Sequence, residues 1–411
     1  MKLNLPGTTL VIKSFNFRSS EADKLIMSTV NFCKPWVSFC LGLIFSGVIS
    51  AASEPASEPL QYWTPPKYQD QQAMGYSSNT FDVPPSLKSD VEFWIMIYTK
   101  FTTQQGVFHL AGDTQRIIGE IDLSDTFANP QWSPIRRELE AELLVRRAKK
   151  RLAKELNIKN ANQIRLQMGL KDRMLKAIEI SGLYLPMMEK VFKEQNLPIE
   201  LTRMVFVESS FNINAGSKVG ASGLWQIMPR LARQFKYIQS SYDQRNHPYY
   251  STKLAAKILK ENFNILKSWP LAVTGYNHGV GSLNRIVKKY KVRDIGYLAE
   301  NVKAKKSFGF ASRNFYATFL AALHVEANAN LYFPEPITKQ LELVQKDYKL
   351  KKNIKYEELL SLFDEDHDKL RLYNPHVRSK YFHIGKTVPA QTLICLPEKL
   401  QKRVAGIEEY K

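Results

Sequence analysis

The chain reads as a mainly α protein with a few short β elements. Long stretches carry apolar residues at helical spacing, and Pro, Gly, Asn and Ser cluster between them. Period-two alternation is confined to short runs such as 107–110 and 117–123. With 411 residues and 44% hydrophobic composition the chain can bury a sizeable core, enough for two or three domains.

In order, the first 26 residues show no periodicity and are set aside as untranslated or disordered. Residues 27–52 read as a secretory signal, with Lys34, an apolar run over 36–49 and the small residues Ser50, Ala51 and Ala52 before the cut. That run is shorter than the roughly 20 residues of a spanning helix. Cys40 follows bulky Phe39, which argues against a lipoprotein. Cys33 and Cys40 leave with the signal, so the remaining Cys395 has no partner for an internal disulfide. Residues 53–89, with PASEP, TPP and VPP, are expected to form an extended linker or a strap along the surface.

A helix with an aromatic face is expected over 90–101, then a hairpin of 107–110 with 117–123 around AGDTQR. Ser133-Pro134 opens a long helix to about Leu156, whose Arg and Lys form a solvated face. A helical stretch over 165–196 completes an N-terminal region of 90–196. Later helices are expected over 250–266, 309–323 and 357–363, and a strand over 392–398. The net charge of +19 favours an anionic partner without choosing between nucleic acid, lipid and an acidic polymer. The seven histidines show no metal-ligand spacing, so no metal and no cofactor is expected, and His278 is read as a packing or surface residue.

The segment 197–232 is the most informative. Pro198 suits the start of a helix on which Leu201, Met204 and Val205 recur, and the next position on that face is Glu208. A carboxyl at an apolar position should have a raised pKa and hold its proton, as a general acid must. A paired structural glutamate is the plainer alternative. Asn212, Asn214, Gly216, Gly220 and Gly223 then mark a tightly turning loop, followed by Leu224, Trp225, Gln226, Ile227 and Met228. No acidic residue lies between Glu208 and Asp243, so no second carboxylate is supplied locally.

The run ESSFNINAGSKVGASGLWQIMPRLA resembles the first signature of the soluble-lytic-transglycosylase family, whose fold is goose-type lysozyme-like. LAVTGYNHGVGSLNRI at 271–286 is similar to its A-x-x-x-Y-N-x-G-x-G block, and flanking similarity points to the membrane-bound lytic murein transglycosylase D subgroup. The resemblance implies an α+β lysozyme-like catalytic domain over 197–334, braced by the N-terminal helices. It implies cleavage of the β-1,4 MurNAc–GlcNAc bond of peptidoglycan to a 1,6-anhydro sugar, with Glu208 as acid and then base. Ser217 and Tyr276 take the catalytic positions beside it, and Gln226, Met228, Asn277 and Trp225 take substrate-binding ones. Each has a plainer alternative: a turn-stabilising hydroxyl for Ser217, a tyrosine bonded to backbone for Tyr276, core packing for Met228 and Trp225. In a third block, GFASRNFYATFLAAL at 309–323, Arg313 is kept while Ala311 and Phe315 replace the usual acid and tyrosine.

Residues 335–411 read as a small basic module in which LRLYNPHV at 370–377 is LysM-like. It binds glycan or packs on the catalytic domain. The implied partners are peptidoglycan strands and envelope proteins, not nucleic acid, with membrane contact only through an uncleaved signal. The implied location is the periplasm or envelope of a Gram-negative bacterium. Three carboxylates more distant from Glu208 in sequence, Asp243, Asp294 and Glu326, leave a hydrolytic muramidase open, and a catalytically weak peptidoglycan-binding protein is the other alternative.

Overall fold

The computed structural model describes residues 79–302 and 308–397, and the backbone of 407–409. The expected signal, Cys33, Cys40 and the first part of the linker lie outside the described residues. The fold is mainly α. It begins with two short 3-10 turns, Asn79–Phe81 and Pro85–Leu87, then α1 (Lys88–Thr99), β1 (Gln105–Leu110), β2 (Asp113–Asp122), α2 (Ser124–Ala128), α3 (Pro134–Glu155) and β3 (Ile164–Met168). Next come α4 (Lys171–Ser181), α5 (Leu185–Glu194), a 3-10 turn (Ile199–Arg203), α6 (Met204–Glu208), α7 (Pro229–Gln234), α8 (Pro248–Leu266) and α9 (Trp269–His278). α10 (Val280–Tyr290), α11 (Ile295–Asn301), α12 (Phe310–Ala327) and α13 (Ala329–Tyr332) complete the helical part. The last segment holds β4 (Gln345–Leu350), β5 (Ile354–Lys355), α14 (Tyr356–Ser361), α15 (His367–Tyr373), β6 (Thr387–Val388), β7 (Leu393–Pro397) and β8 (Ile407–Glu409).

Two helices form the centre. α1 is buried along Phe93–Thr99 and α12 along Asn314–Glu326, so neither shows the polar stripe of a surface helix. They are pinned together by Trp94 Nε1, which donates to Asn314 Oδ1 at 3.1 Å. The Pro-rich stretch read as linker departs from that expectation from Asn79 onward. Phe81 is fully buried, edge-on to Phe319 at 5.4 Å, and Leu87 is 1% exposed. Two apolar anchors, worth roughly 1.5–3 kcal/mol each when buried, outweigh a composition that otherwise favours extended chain.

A second departure is the helix expected over 165–196. Its first four residues, 165–168, fall instead in β3, which pairs antiparallel with β1 and makes β1 the middle strand of a β2-β1-β3 sheet. The Ile-Arg-Leu-Gln-Met run alternates, and β1 has a free edge to satisfy. α3 has Ser133 at its N-cap, accepting from Arg136 N–H at 3.3 Å, with Pro134 in the first turn. Only Ala141 and Leu152 of this helix are buried.

The last segment has its own apolar core around Leu359, Phe363, Leu370 and Ile394. It is nonetheless stitched to the helical part. Asp243 N–H donates to the His376 carbonyl at 2.8 Å, Arg378 N–H to the Ser241 carbonyl at 3.0 Å, and Tyr242 forms an antiparallel bridge with Val377.

Burial also sets a pH dependence. His324, on α12 and 1% exposed, has its pKa pushed down to about 4 by burial. The unfolded chain, titrating near 6.5, therefore takes up a proton that the folded chain refuses between pH 6.5 and 4. Stability is unaffected above that window and falls as pH drops through it, by about 2 kcal/mol between pH 7 and 5 from this residue. Urea midpoints at the two pH values check this, and the difference should shrink in His324→Gln.

Candidate active site

α6 is short and almost wholly internal. Leu201, Met204 and Val205 are fully buried and Phe206 is 1% exposed, so the helix is held by its apolar face. Glu208 is its last residue and is half-buried. The helix stops there because Ser210 and Phe211 both take left-handed backbone angles, φ 50° and 56°. Phe211 accepts that conformation because its ring packs edge-on against Phe206 at 4.7 Å. Ser209 Oγ donates to the Leu224 carbonyl at 2.8 Å, tying the helix end to the far side of the loop.

The loop is a compact double turn. Gly220 N–H donates to the Ser217 carbonyl at 2.8 Å, and Ser217 N–H donates to the Ala221 carbonyl at 2.9 Å. Ser217 Oγ accepts from Ala221 N–H at 2.9 Å, which leaves its own hydroxyl proton available to a ligand. Gln226, at φ 45°, spends its amide nitrogen on the carbonyls of Ala215 and Gly223 at 3.0 and 2.9 Å. Gln226 therefore holds the loop closed, and what it can still offer a sugar is its side-chain oxygen. Met228 is 44% exposed at the mouth of α7, an apolar surface open to a ligand.

Trp225 corrects an expectation. Its side chain is fully buried, stacked on Phe192 with ring centroids 5.7 Å apart, and Nε1 donates to Thr252 Oγ1 at 2.9 Å. With a ring face covered and the indole N–H satisfied inside, it offers no flat surface to a sugar; it is core.

α9 brings the second motif to the same place. The Tyr276 hydroxyl donates to the Trp225 carbonyl at 2.8 Å, the plainer of the two roles expected for it. Its phenol is held well above its ordinary pKa, first by burial and then by the negative charge of Glu208. Glu208 and Tyr276 are thus close enough to sense each other, and Tyr276 stays a neutral phenol with its oxygen lone pairs available. Asn277 follows on an exposed position of the same turn. His278 is bonded to Ser312 and Ser282 at 3.0 and 3.1 Å, a linking role between α9, α10 and α12. Arg313, from the third block, donates to the carbonyls of Phe308, at 3.0 Å, and Val302.

The three candidate second carboxylates are committed elsewhere. Asp243 pairs with Arg245 at 2.7 Å, Asp294 caps α11 by accepting from Tyr297 N–H at 2.6 Å, and buried Glu326 takes Lys339 at 2.7 Å and Arg203 at 3.4 Å.

Arg245 is the residue that reading the sequence missed. It is 8% exposed and its guanidinium grips both oxygens of Asp243 while donating to the carbonyls of Gly220, at 2.7 Å, and Ile227, at 3.0 Å. One side chain therefore clamps both ends of the glycine loop. The only signal was a buried-looking Asp-Gln-Arg in a turn, a common pattern.

Residues 187–298 match the family model described as Transglycosylase SLT domain, a span that contains Glu208, Ser217, Gln226, Met228, Tyr276 and Asn277. Membrane-bound lytic murein transglycosylase D of Escherichia coli strain K12 is 35% identical over 103 residues, 25% of this chain and 23% of that protein. A putative tributyltin chloride resistance protein of Alteromonas sp. strain M-1 is 37% identical over 103 residues, 24% of this chain and 49% of that protein. The chain thus spans about a quarter of the length of the Escherichia coli relative it matches, 23%. Among solved structures, an inactive mutant of lytic transglycosylase Slt from Pseudomonas aeruginosa is 21% identical, with 38% of this chain and 26% of that chain covered and a TM-score of 0.26. The 70 kDa soluble lytic transglycosylase of Escherichia coli is 20% identical, with 36% and 24% covered and a TM-score of 0.29. At these TM-scores neither superposition bears on the fold.

Proposed function

We propose that this chain, which carries a transglycosylase SLT domain, is a lytic transglycosylase that cleaves the β-1,4 bond between MurNAc and GlcNAc in peptidoglycan and leaves a 1,6-anhydroMurNAc end. The observation that carries the reading is the position of Glu208. It is a half-buried carboxyl at the end of a buried helix, within electrostatic reach of Tyr276, while Asp243, Asp294 and Glu326 are occupied by other partners. In this reading one acid acts twice. Glu208 protonates the glycosidic oxygen, positive charge develops at the MurNAc anomeric carbon, and the substrate's own acetamido oxygen steadies it in place of a second carboxylate. Ser217, with its hydroxyl proton free, holds that acetamido group, and the Tyr276 oxygen accepts from its N–H. Glu208, now ionised, takes the proton from the C6 hydroxyl as that oxygen attacks C1.

Met228 and Asn277, exposed at the mouth of the site, line the sugar subsites in this reading. The net charge of +19 suits a polymer bearing lactyl and stem-peptide carboxylates. Secretion through the 27–52 signal to the periplasm belongs to the same proposal; among the described residues no helix is long and apolar enough to cross a membrane. The 335–411 module, stitched by backbone hydrogen bonds to the catalytic part, serves first as a packing element.

Mass spectrometry of digested sacculi tests the reaction. Anhydro-terminated muropeptides, one water lighter than hydrolytic ones, are expected; reducing ends would make the chain a muramidase, and intact sacculi a binding protein. Tyr276→Phe is expected to leave the Trp225 carbonyl unsatisfied, costing about 1–3 kcal/mol of stability. The shifted loop should lower kcat/KM roughly 10- to 100-fold. Urea unfolding and turnover of soluble glycan fragments check the two effects separately.

A further inference from the structure

Where the helical part meets the last segment, four metal-ligating side chains from four separate elements converge inside the protein. His247 is the N-cap residue of α8, Asp347 lies in β4, His376 follows α15, and Cys395 lies in β7 directly across from Asp347 in the antiparallel register. His247 and Cys395 are fully buried and His376 is 1% exposed. His247 Nε2 stands 3.1 Å from Cys395 Sγ and 3.3 Å from Asp347 Oδ1, and the sulfur is 3.2 Å from the same carboxylate oxygen. One ring nitrogen of each histidine and the sulfur all lie within 4.8 Å of one another.

We propose that His247, His376 and Cys395, which form the mutually close cluster, hold a structural zinc ion with the Asp347 carboxylate, placed beside His247 and Cys395, swinging in as the fourth ligand, and that this ion fastens the last segment onto the catalytic helices. Tetrahedral zinc with bonds of about 2.0–2.3 Å sets its ligand atoms roughly 3.3–3.7 Å apart. Of the three measured separations, the 3.3 Å between His247 and Asp347 meets that spacing, and the two to sulfur, 3.1 and 3.2 Å, are a few tenths of an ångström short of it, so the sulfur would move slightly outward on binding. A thiolate, two imidazoles and a carboxylate are a donor set that suits zinc and leaves it no open position for chemistry.

Hydrogen bonding alone does not account for the cluster. His247, Asp347 and Cys395 can satisfy one another, but His376 Nδ1 is buried with no hydrogen-bond partner among the described residues. Its other nitrogen, Nε2, is 3.0 Å from the Leu393 carbonyl. An imidazole that gives its N–H to a backbone carbonyl presents its other nitrogen as a lone pair, the arrangement found behind metal-bound histidines. The cysteine is also braced, with Asn374 Oδ1 accepting from its N–H at 2.7 Å and Asn374 Nδ2 donating to its carbonyl at 2.9 Å. On binding, the Cys395 thiol releases its proton to solvent. His247 carries its own proton on Nδ1 and gives up the long 3.2 Å contact from Tyr249 N–H.

The test uses the full chain with any tag removed, stripped by chelator and then given Zn²⁺ alone. One zinc per chain is expected, with a higher thermal midpoint. Co²⁺ in its place should show the intense visible bands of a tetrahedral site and a thiolate-to-cobalt charge-transfer band. Cys395→Ser should lose that band, and His376→Ala should bind zinc about tenfold or more weakly. Should either variant fail to fold, the wild-type cobalt spectrum decides by itself. Substoichiometric zinc with no thiolate band would leave a hydrogen-bonded cluster only. Zinc held equally well by both variants would place the ion elsewhere.

Discussion

Glu208→Gln is expected to abolish bond cleavage and to leave glycan binding intact. The amide keeps the size and most of the hydrogen-bonding capacity of the carboxyl but has no acidic proton to give. Proton transfer by a positioned side chain contributes about 10²–10⁴-fold, and here one group is asked for two transfers in succession. A fall in kcat of about 10³-fold or more is therefore expected, with the dissociation constant for a soluble glycan fragment changed by less than about threefold. The fold should survive, since Met204, Val205 and Phe206 anchor α6 in the core and glutamine keeps the size of the glutamate it replaces. Glu326→Gln supplies the contrast. It sits between Arg203 and Lys339, so its loss should show in stability and leave turnover per folded molecule unchanged. Single-turnover assays on matched folded protein separate the two. Turnover by Glu208→Gln within tenfold of the parent would remove Glu208 from the chemistry and reopen the search for the acid.

Much of this site is legible in the chain because its signals are local. Glu208 stands out by interrupting an apolar helical stripe, and the glycine loop announces a turn. Helices such as Pro134–Glu155 and Pro248–Leu266 are bounded by residues whose side chains cap them or whose rings fix φ. Partnership across the chain is not legible in that way. β3 becomes a strand because β1 offers it an edge, and Ile164–Met168 among helix formers gives little hint of that. Trp225 lies in a motif expected to line a sugar groove, yet its side chain turns inward because Phe192 and Thr252 provide a stacking face and an acceptor. The His247–Cys395 contact joins residues 148 positions apart, beyond the reach of any spacing rule. Phe81 and Leu87 are hidden among prolines, and only the core they enter reveals them as anchors.

Arg245→Ala should destabilise the catalytic part by about 3–5 kcal/mol, because it strands the 6%-exposed Asp243 as an uncompensated charge and frees both ends of the glycine loop. Lysine is no remedy. An ammonium cannot hold both Asp243 oxygens and reach the Gly220 and Ile227 carbonyls from one planar fork. Gly223→Ala probes the same clamp from the other side. Its φ is +77°, and a Cβ there would lie 2.2 Å from the Arg245 carbonyl oxygen, so the loop would have to move away from the arginine's backbone. Both variants displace Ser217 relative to Glu208 without touching either residue, and both should lose turnover by more than the folded fraction explains. The double variant Asp243→Asn with Arg245→Leu separates charge from clamp. It removes the stranded carboxylate and recovers part of the stability, while activity stays low because nothing grips the loop carbonyls. If that double variant regained full turnover, the clamp would be a matter of charge balance alone and Arg245 would have no part in positioning the site.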